Sequence, residues 1–119
     1  MPEWEKTLER KLGKKFLSPN AVRDGFIESY CIILKKFQQH EGTFRSDQEI
    51  NDNTFSLVRE IYREKDIHYE IPPKSTIVKV DGWIREKLNT GLIKEKMPEA
   101  FREHEKTCQD LLNRMESES

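Results

Sequence analysis

A chain of 119 residues has the length of one domain with one core, so residues 1–119 are read as a single unit. Charged residues make up 36%, against about 25% in an average domain, so a thin core must sit under a large solvated surface. A net charge of −1 excludes bulk electrostatic attraction to nucleic acid or anionic membrane as the main principle of action.

Pro2 can open a helix over about residues 3–15. Its apolar side is Trp4, Leu8, Leu12 and Phe16, and its acidic start and basic end match the helix dipole. Ser18-Pro19 then supplies an N-cap and a first helical residue. Over 19–40, Val22, Phe26, Tyr30, Ile33 and Phe37 recur at steps of three or four, which predicts the central core helix, closed by Gly42. Ser46 and Glu49 have capping-box spacing. The third helix therefore starts at 47, or at Thr54 if Asn51-Asp52-Asn53 prefers a turn, and it runs to about 65 with Ile50, Leu57, Val58, Ile61 and Tyr62 inward.

Pro72-Pro73 breaks the chain, and two readings of Lys74 to Ile93 stay open. As a helix over 75–89, capped by Ser75, the segment places Ile77, Val80, Ile84 and Leu88 on one face and stops near Gly91. As a hairpin around 67–80, Ile67, Tyr69 and Ile71 pair with the β-branched run Thr76 to Val80, closed by Asp81-Gly82. In the helical reading the ending Leu88-x-x-Gly91-Leu92-Ile93 resembles the close of a recognition helix in winged-helix regulators. That resemblance covers under a fifth of the chain. It implies DNA contacts from Lys74, Lys79, Arg85 and Lys87. Gly82 inside the helix and the near-zero net charge weigh against it.

After Pro98 the chain is most regular. Met97, Phe101, His104, Cys108, Leu111 and Met115 form a heptad-like seam on a helix over about 98–115, and the tail 116–119 frays. The fold expected is mainly α, a four- to five-helix bundle, with a short β-hairpin around 67–80 in one of the two readings.

Little in the sequence speaks for catalysis. His104 and Cys108 share a helix face and offer half of a tetrahedral zinc site, but no spacing supplies the other half. The five glycines are scattered, so no phosphate loop forms. Neither cofactor nor metal is expected, and the chain is read as no enzyme. Its two cysteines are too few for the disulfide framework of a small secreted domain. The longest apolar run, Cys31 to Leu34, is far below the ~20 residues of a membrane span. A cytoplasmic protein with no membrane association is expected.

What remains is quantity of apolar surface. Aromatic residues and methionine are enriched at interfaces, and a seam with histidine and cysteine at its middle suits a helix–helix contact with one wet edge. The function expected is that of a small helical protein-interaction module (adaptor, accessory subunit or regulator) that binds a protein partner or itself through Trp83, Phe101, His104, Leu111 and Met115. The alternative is a DNA-binding regulator of helix-turn-helix or winged-helix type acting through residues 74–93.

Overall fold

The computed structural model describes residues 19–43, 45–67 and 73–115, without the side chains of residues 19 and 20. The helix expected at 3–15, the Ser18 cap, Trp4, the first arm of the hairpin beyond Ile67 and the tail 116–119 lie outside the described residues. Five helices follow in order: α1 Pro19–Glu41, α2 Asp47–Glu64, α3 Lys74–Lys87, α4 Thr90–Lys96 and α5 Pro98–Arg114. The protein is an all-α bundle, and no strand occurs among the described residues.

Backbone chemistry at the helix ends accounts for the boundaries. Glu49 N–H donates to Ser46 Oγ at 3.2 Å, so the N-cap holds and α2 begins at Asp47 rather than at Thr54. The polar triplet at 51–53 stays helical, and Asp52 accepts from Gln48 one turn earlier at 3.1 Å. Three helices stop at a left-handed residue: Gly42, Asp66 and Asn89. At the first, Thr43 N–H donates to Gln38 O and Gly42 N–H to Gln39 O, the paired bonds of a Schellman ending. At the second, Ile67 N–H donates to Tyr62 O and Asp66 N–H to Arg63 O in the same pattern. Asn89, not Gly91, ends α3. Its φ of 52° is one that Asn tolerates better than most side chains, and Gly91 lies inside α4.

Lys74 to Lys87 is helix, which decides between the two readings of the segment. Ile77, Val80 and Ile84 are all buried. Positions three and four apart share a helix face, whereas Ile77 and Val80 would project from opposite faces of a strand. The second arm of the proposed hairpin is therefore absent. The capping residue is Pro73, without a side-chain bond, so Ser75 does not act as the cap. Gly82 sits in open space, and its ~1 kcal/mol cost is outweighed by burial of its neighbours on the apolar face.

α1 is the axis of the bundle and packs against α2, α3 and α5. Its stripe Val22, Phe26, Ile27 and Tyr30 joins Val58, Ile61 and Tyr62 of α2, Ile77, Val80 and Ile84 of α3, and Cys108, Leu111 and Leu112 of α5. Ile33 forms a second, smaller cluster with Ile93 of α4 and Phe101 of α5. Thr54, buried within α2, returns its hydroxyl to Ile50 O at 2.8 Å, the usual way to satisfy a buried threonine in a helix. Surface pairs Lys35–Asp47, Lys36–Glu103 and Lys96–Glu41 connect the helices at their edges and add little each.

The helical register of α3 makes two adjacent substitutions unequal. Ile77 is 1% exposed and Val78 is 47% exposed. Ile77→Ala is expected to cost about 2–5 kcal/mol, while Val78→Ala should be neutral or gain a few tenths through helix propensity. Urea denaturation of both variants checks this, and equal losses would be incompatible with the α3 register.

Candidate functional site

Ser29 and His104, two of the buried polar residues, meet where α1 faces α3 and α5. Ser29 and Tyr30 are neighbours on α1 and reach different helices. Ser29 Oγ and His104 Nδ1 share a 2.7 Å hydrogen bond, and Cys108 Sγ lies 3.8 Å from His104 Nε2 and 3.9 Å from Ser29 Oγ. The Tyr30 hydroxyl donates to Asp81 Oδ1 on α3. Arg85, one turn on, donates Nε to Asp81 Oδ2 at 3.1 Å, extends toward Glu105 at 3.9 Å and covers the Phe101 ring at 5.6 Å. His104 itself lies between the rings of Tyr30 and Phe101.

A Ser–His–Cys trio invites a nucleophilic reading, but its electrostatics run the wrong way. Burial pushes the Cys108 thiol up to about 12, helped by the Asp81 carboxylate. Burial lowers His104 to about 4, the Arg85 cation adds to the effect, and the hydrogen bond to Ser29 opposes it. Activated cysteines need the reverse, a thiolate stabilised beside a cationic imidazole. His104 is only 4% exposed, so the trio is enclosed within the bundle. The trio holds neutral groups in a buried interior, where each satisfies another. His104 and Cys108 do lie close enough to be half of a metal site, yet among the described residues no group of three or more His, Cys, Asp or Glu side chains gathers to hold an ion.

The residues expected to make partner contacts are mostly spent on this interior. Phe101, His104, Leu111 and Met115 are buried within the chain itself, so the α5 seam closes against α1 of the same molecule. Trp83 is partly buried beside the core, with Lys65 Nζ 4.8 Å over its ring. Of the basic residues read as nucleic-acid contacts, Lys74, Lys79 and Lys87 are exposed, while Arg85 is drawn inward by Asp81. At about 100° per residue, the three lysines point in three directions around α3 and make no single basic stripe. The segment likened to the close of a recognition helix is likewise divided, by the left-handed Asn89 between α3 and α4.

The sequence pointed to His104, Cys108 and Arg85 without joining them to Ser29, Tyr30 and Asp81, and it did not point to the open surface. Its signal for the junction was present: Ser29 falls between Phe26 and Ile33 on the α1 stripe, and Asp81 and Arg85 flank the Ile84 face at helical spacing. The open surface lies between α1 and α2. There Ile27, Val58 and Tyr62 floor a groove of about 210 Å³ whose edges are Arg23, Asp24, Phe55 and Arg59. Phe55 follows the buried Thr54 and so stands at the margin of the α2 apolar stripe, 40% exposed. A second groove, about 320 Å³, lies among Leu34, Phe37, Leu88 and Leu92 with a more polar rim that includes Gln38, Arg45 and Asn89. No helix among the described residues is long and apolar enough to cross a membrane.

No protein-family model, curated protein or solved structure matches the chain.

The buried imidazole makes stability depend on pH. Unfolded His104 takes up a proton below about 6.5, whereas the folded chain resists protonation down to about 4. The stabilisation is full above 6.5 and is lost as pH falls toward 4. The difference corresponds to roughly 3 kcal/mol at most, partly offset by Asp81, whose carboxyl is raised by burial and so acts in the opposite sense. Melting curves between pH 7 and pH 4 should fall steeply for the wild type and less for His104→Gln; parallel curves would disprove the assignment. Thiol reagent at pH 8 should label neither Cys31, pushed up to about 11, nor Cys108 until the chain is unfolded, and labelling of the native protein would contradict the buried interior.

Proposed function

We propose that the protein is a small helical interaction module, an adaptor, accessory subunit or regulator, whose action is helix–helix association rather than catalysis. The observation that carries this reading is Phe55, a large aromatic group left 40% exposed at the lip of an apolar groove. Solvated aromatic rings beside a concave apolar floor are the raw material of interface anchors. The α5 seam, by contrast, is already used in folding. Because Phe101, His104, Leu111 and Met115 are buried within the chain, the surface offered for association in this reading is the α1–α2 face. A cytoplasmic setting suits the two free, buried thiols of Cys31 and Cys108.

Nucleic-acid binding through α3 has less behind it. The lysines of that helix diverge, and its arginine is held by Asp81 and Glu105. Phosphate contacts need several cations on one side.

The test is isolation of tagged protein from its own cells at native expression. Wild type should retain a stoichiometric protein component, either a second copy or another chain. Phe55→Glu should lose it at least about tenfold while keeping its helical content and melting temperature. A wild type that emerges alone, or a Phe55→Glu variant that retains the same component, would defeat the proposal.

A further inference from the structure

His104 is enclosed by groups that suit only a neutral ring. Its Nδ1 is bonded to Ser29 Oγ at 2.7 Å and its Nε2 faces Cys108 Sγ at 3.8 Å, and both partners are uncharged. The rings of Tyr30 and Phe101 flank it, with centroids at 4.8 and 5.6 Å. The charged and titratable groups around it are Tyr30 on α1, Asp81 and Arg85 on α3, and Glu105 and Cys108 on its own helix. Asp81 is committed to Tyr30 and Arg85, and the exposed Glu105 is turned to Arg85. α4 meets this region through Ile93, packed with Phe101. A proton on His104 would put a second cation near Arg85 with no carboxylate bonded to it among the described residues. Burial and the Arg85 charge accordingly hold the ring neutral down to about 4.

The cost of that proton falls on one seam. α5 packs against α1 and α4, whereas α1, α2 and α3 pack on one another pairwise. A break separates α5 from α4: Met97 has φ −135° and ψ 65°, and Pro98 opens the next helix. α5 can therefore swing at Met97 without bending another helix. The two buried thiols lie on different sides of this division. Cys108 sits on α5 in the seam, while Cys31 sits on α1 with its thiol bonded to Thr54 of α2.

We propose that His104 is a proton-operated latch: protonation of its ring releases α5 from α1 about the Met97 joint, while α1, α2 and α3 stay packed, and uncovers Phe101, Cys108 and Leu111. The ring takes up a proton at about 6.5 when released and at about 4 when docked, so release gains as pH falls between those values. Asp81, whose carboxyl is raised by burial, remains between Tyr30 and Arg85 when α5 leaves. The latch lies on the α5 side and needs nothing of the α1–α2 face.

The two native thiols test it in the full chain. A dipyridyl disulfide, which reacts with thiols in mild acid, is added at pH 7.5 and at pH 5, and each rate is corrected by that of the urea-unfolded chain. At pH 5 Cys108 should be labelled faster than Cys31, with helical content retained. The corrected Cys108 rate should rise at least about tenfold from pH 7.5 to pH 5. His104→Gln, neutral at both pH values, should label Cys108 without that rise. Equal rates for the two thiols would show that the bundle opens as one unit and would overturn the latch. So would a Cys108 that stays unlabelled at pH 5, a Cys108 rate indifferent to pH, or an equal rise in His104→Gln. If the glutamine variant does not fold, the comparison of Cys108 with Cys31 in the wild type decides alone.

Discussion

Two adjacent polar side chains on α1 determine how the bundle closes. Ser29 and Tyr30 point into the interior from the same turn, and a buried hydroxyl without a partner costs about 1–3 kcal/mol. Ser29 finds His104 on α5 and Tyr30 finds Asp81 on α3, so α3 and α5 are fixed relative to one helix in a way that apolar contacts alone do not specify. Asp81 in turn requires Arg85, because a carboxylate taken out of water needs a cation beside it. Arg85 then covers Phe101 and reaches Glu105. Removing any one member would strand the others, whereas an apolar replacement of the whole set could be tolerated.

This constraint also separates the chemistry of the interior from the action of the surface. A histidine, a cysteine and a serine in mutual reach resemble catalytic machinery only until their protonation is considered. Burial keeps the thiol protonated and the imidazole neutral, and the surrounding rings keep solvent out. The same demand draws Arg85 away from the outer face of α3, whose exposed basic residues are Lys74, Lys79 and Lys87. The large apolar groups that face solvent are scattered: Ile32 on α1, Phe55 on α2, Val78 on α3 and Leu92 on α4.

Much of the fold was legible because it depends on spacing. The α1 stripe, the Ser46 cap, the Gly42 ending and the α5 seam all follow from local periodicity or backbone chemistry, and each is found in the described residues. The end of α3 was not legible in the same way. Gly91 and Asn89 both suit a left-handed turn, and the choice of Asn89 extends the chain into α4, whose Ile93 is buried against Ile33 and Phe101. Helix against strand at 76–80 was balanced locally and is decided by burial of Ile77 and Val80 on one side. The open surface was hidden for a related reason. Phe55 sits one residue past a buried position, and whether a marginal residue is covered depends on the neighbouring helix rather than on its own.

If the α5 seam belongs to the core and the α1–α2 face to association, side-chain accessibility in solution must say so. Hydroxyl-radical footprinting of the full chain, in its isolated and associated forms, is the most direct measurement. Phe101 should be protected in both forms, and Phe55 should be reactive when the chain is alone and protected on association. Phe55 unchanged, with Phe101 and Leu111 protected only in the associated form, would contradict that division.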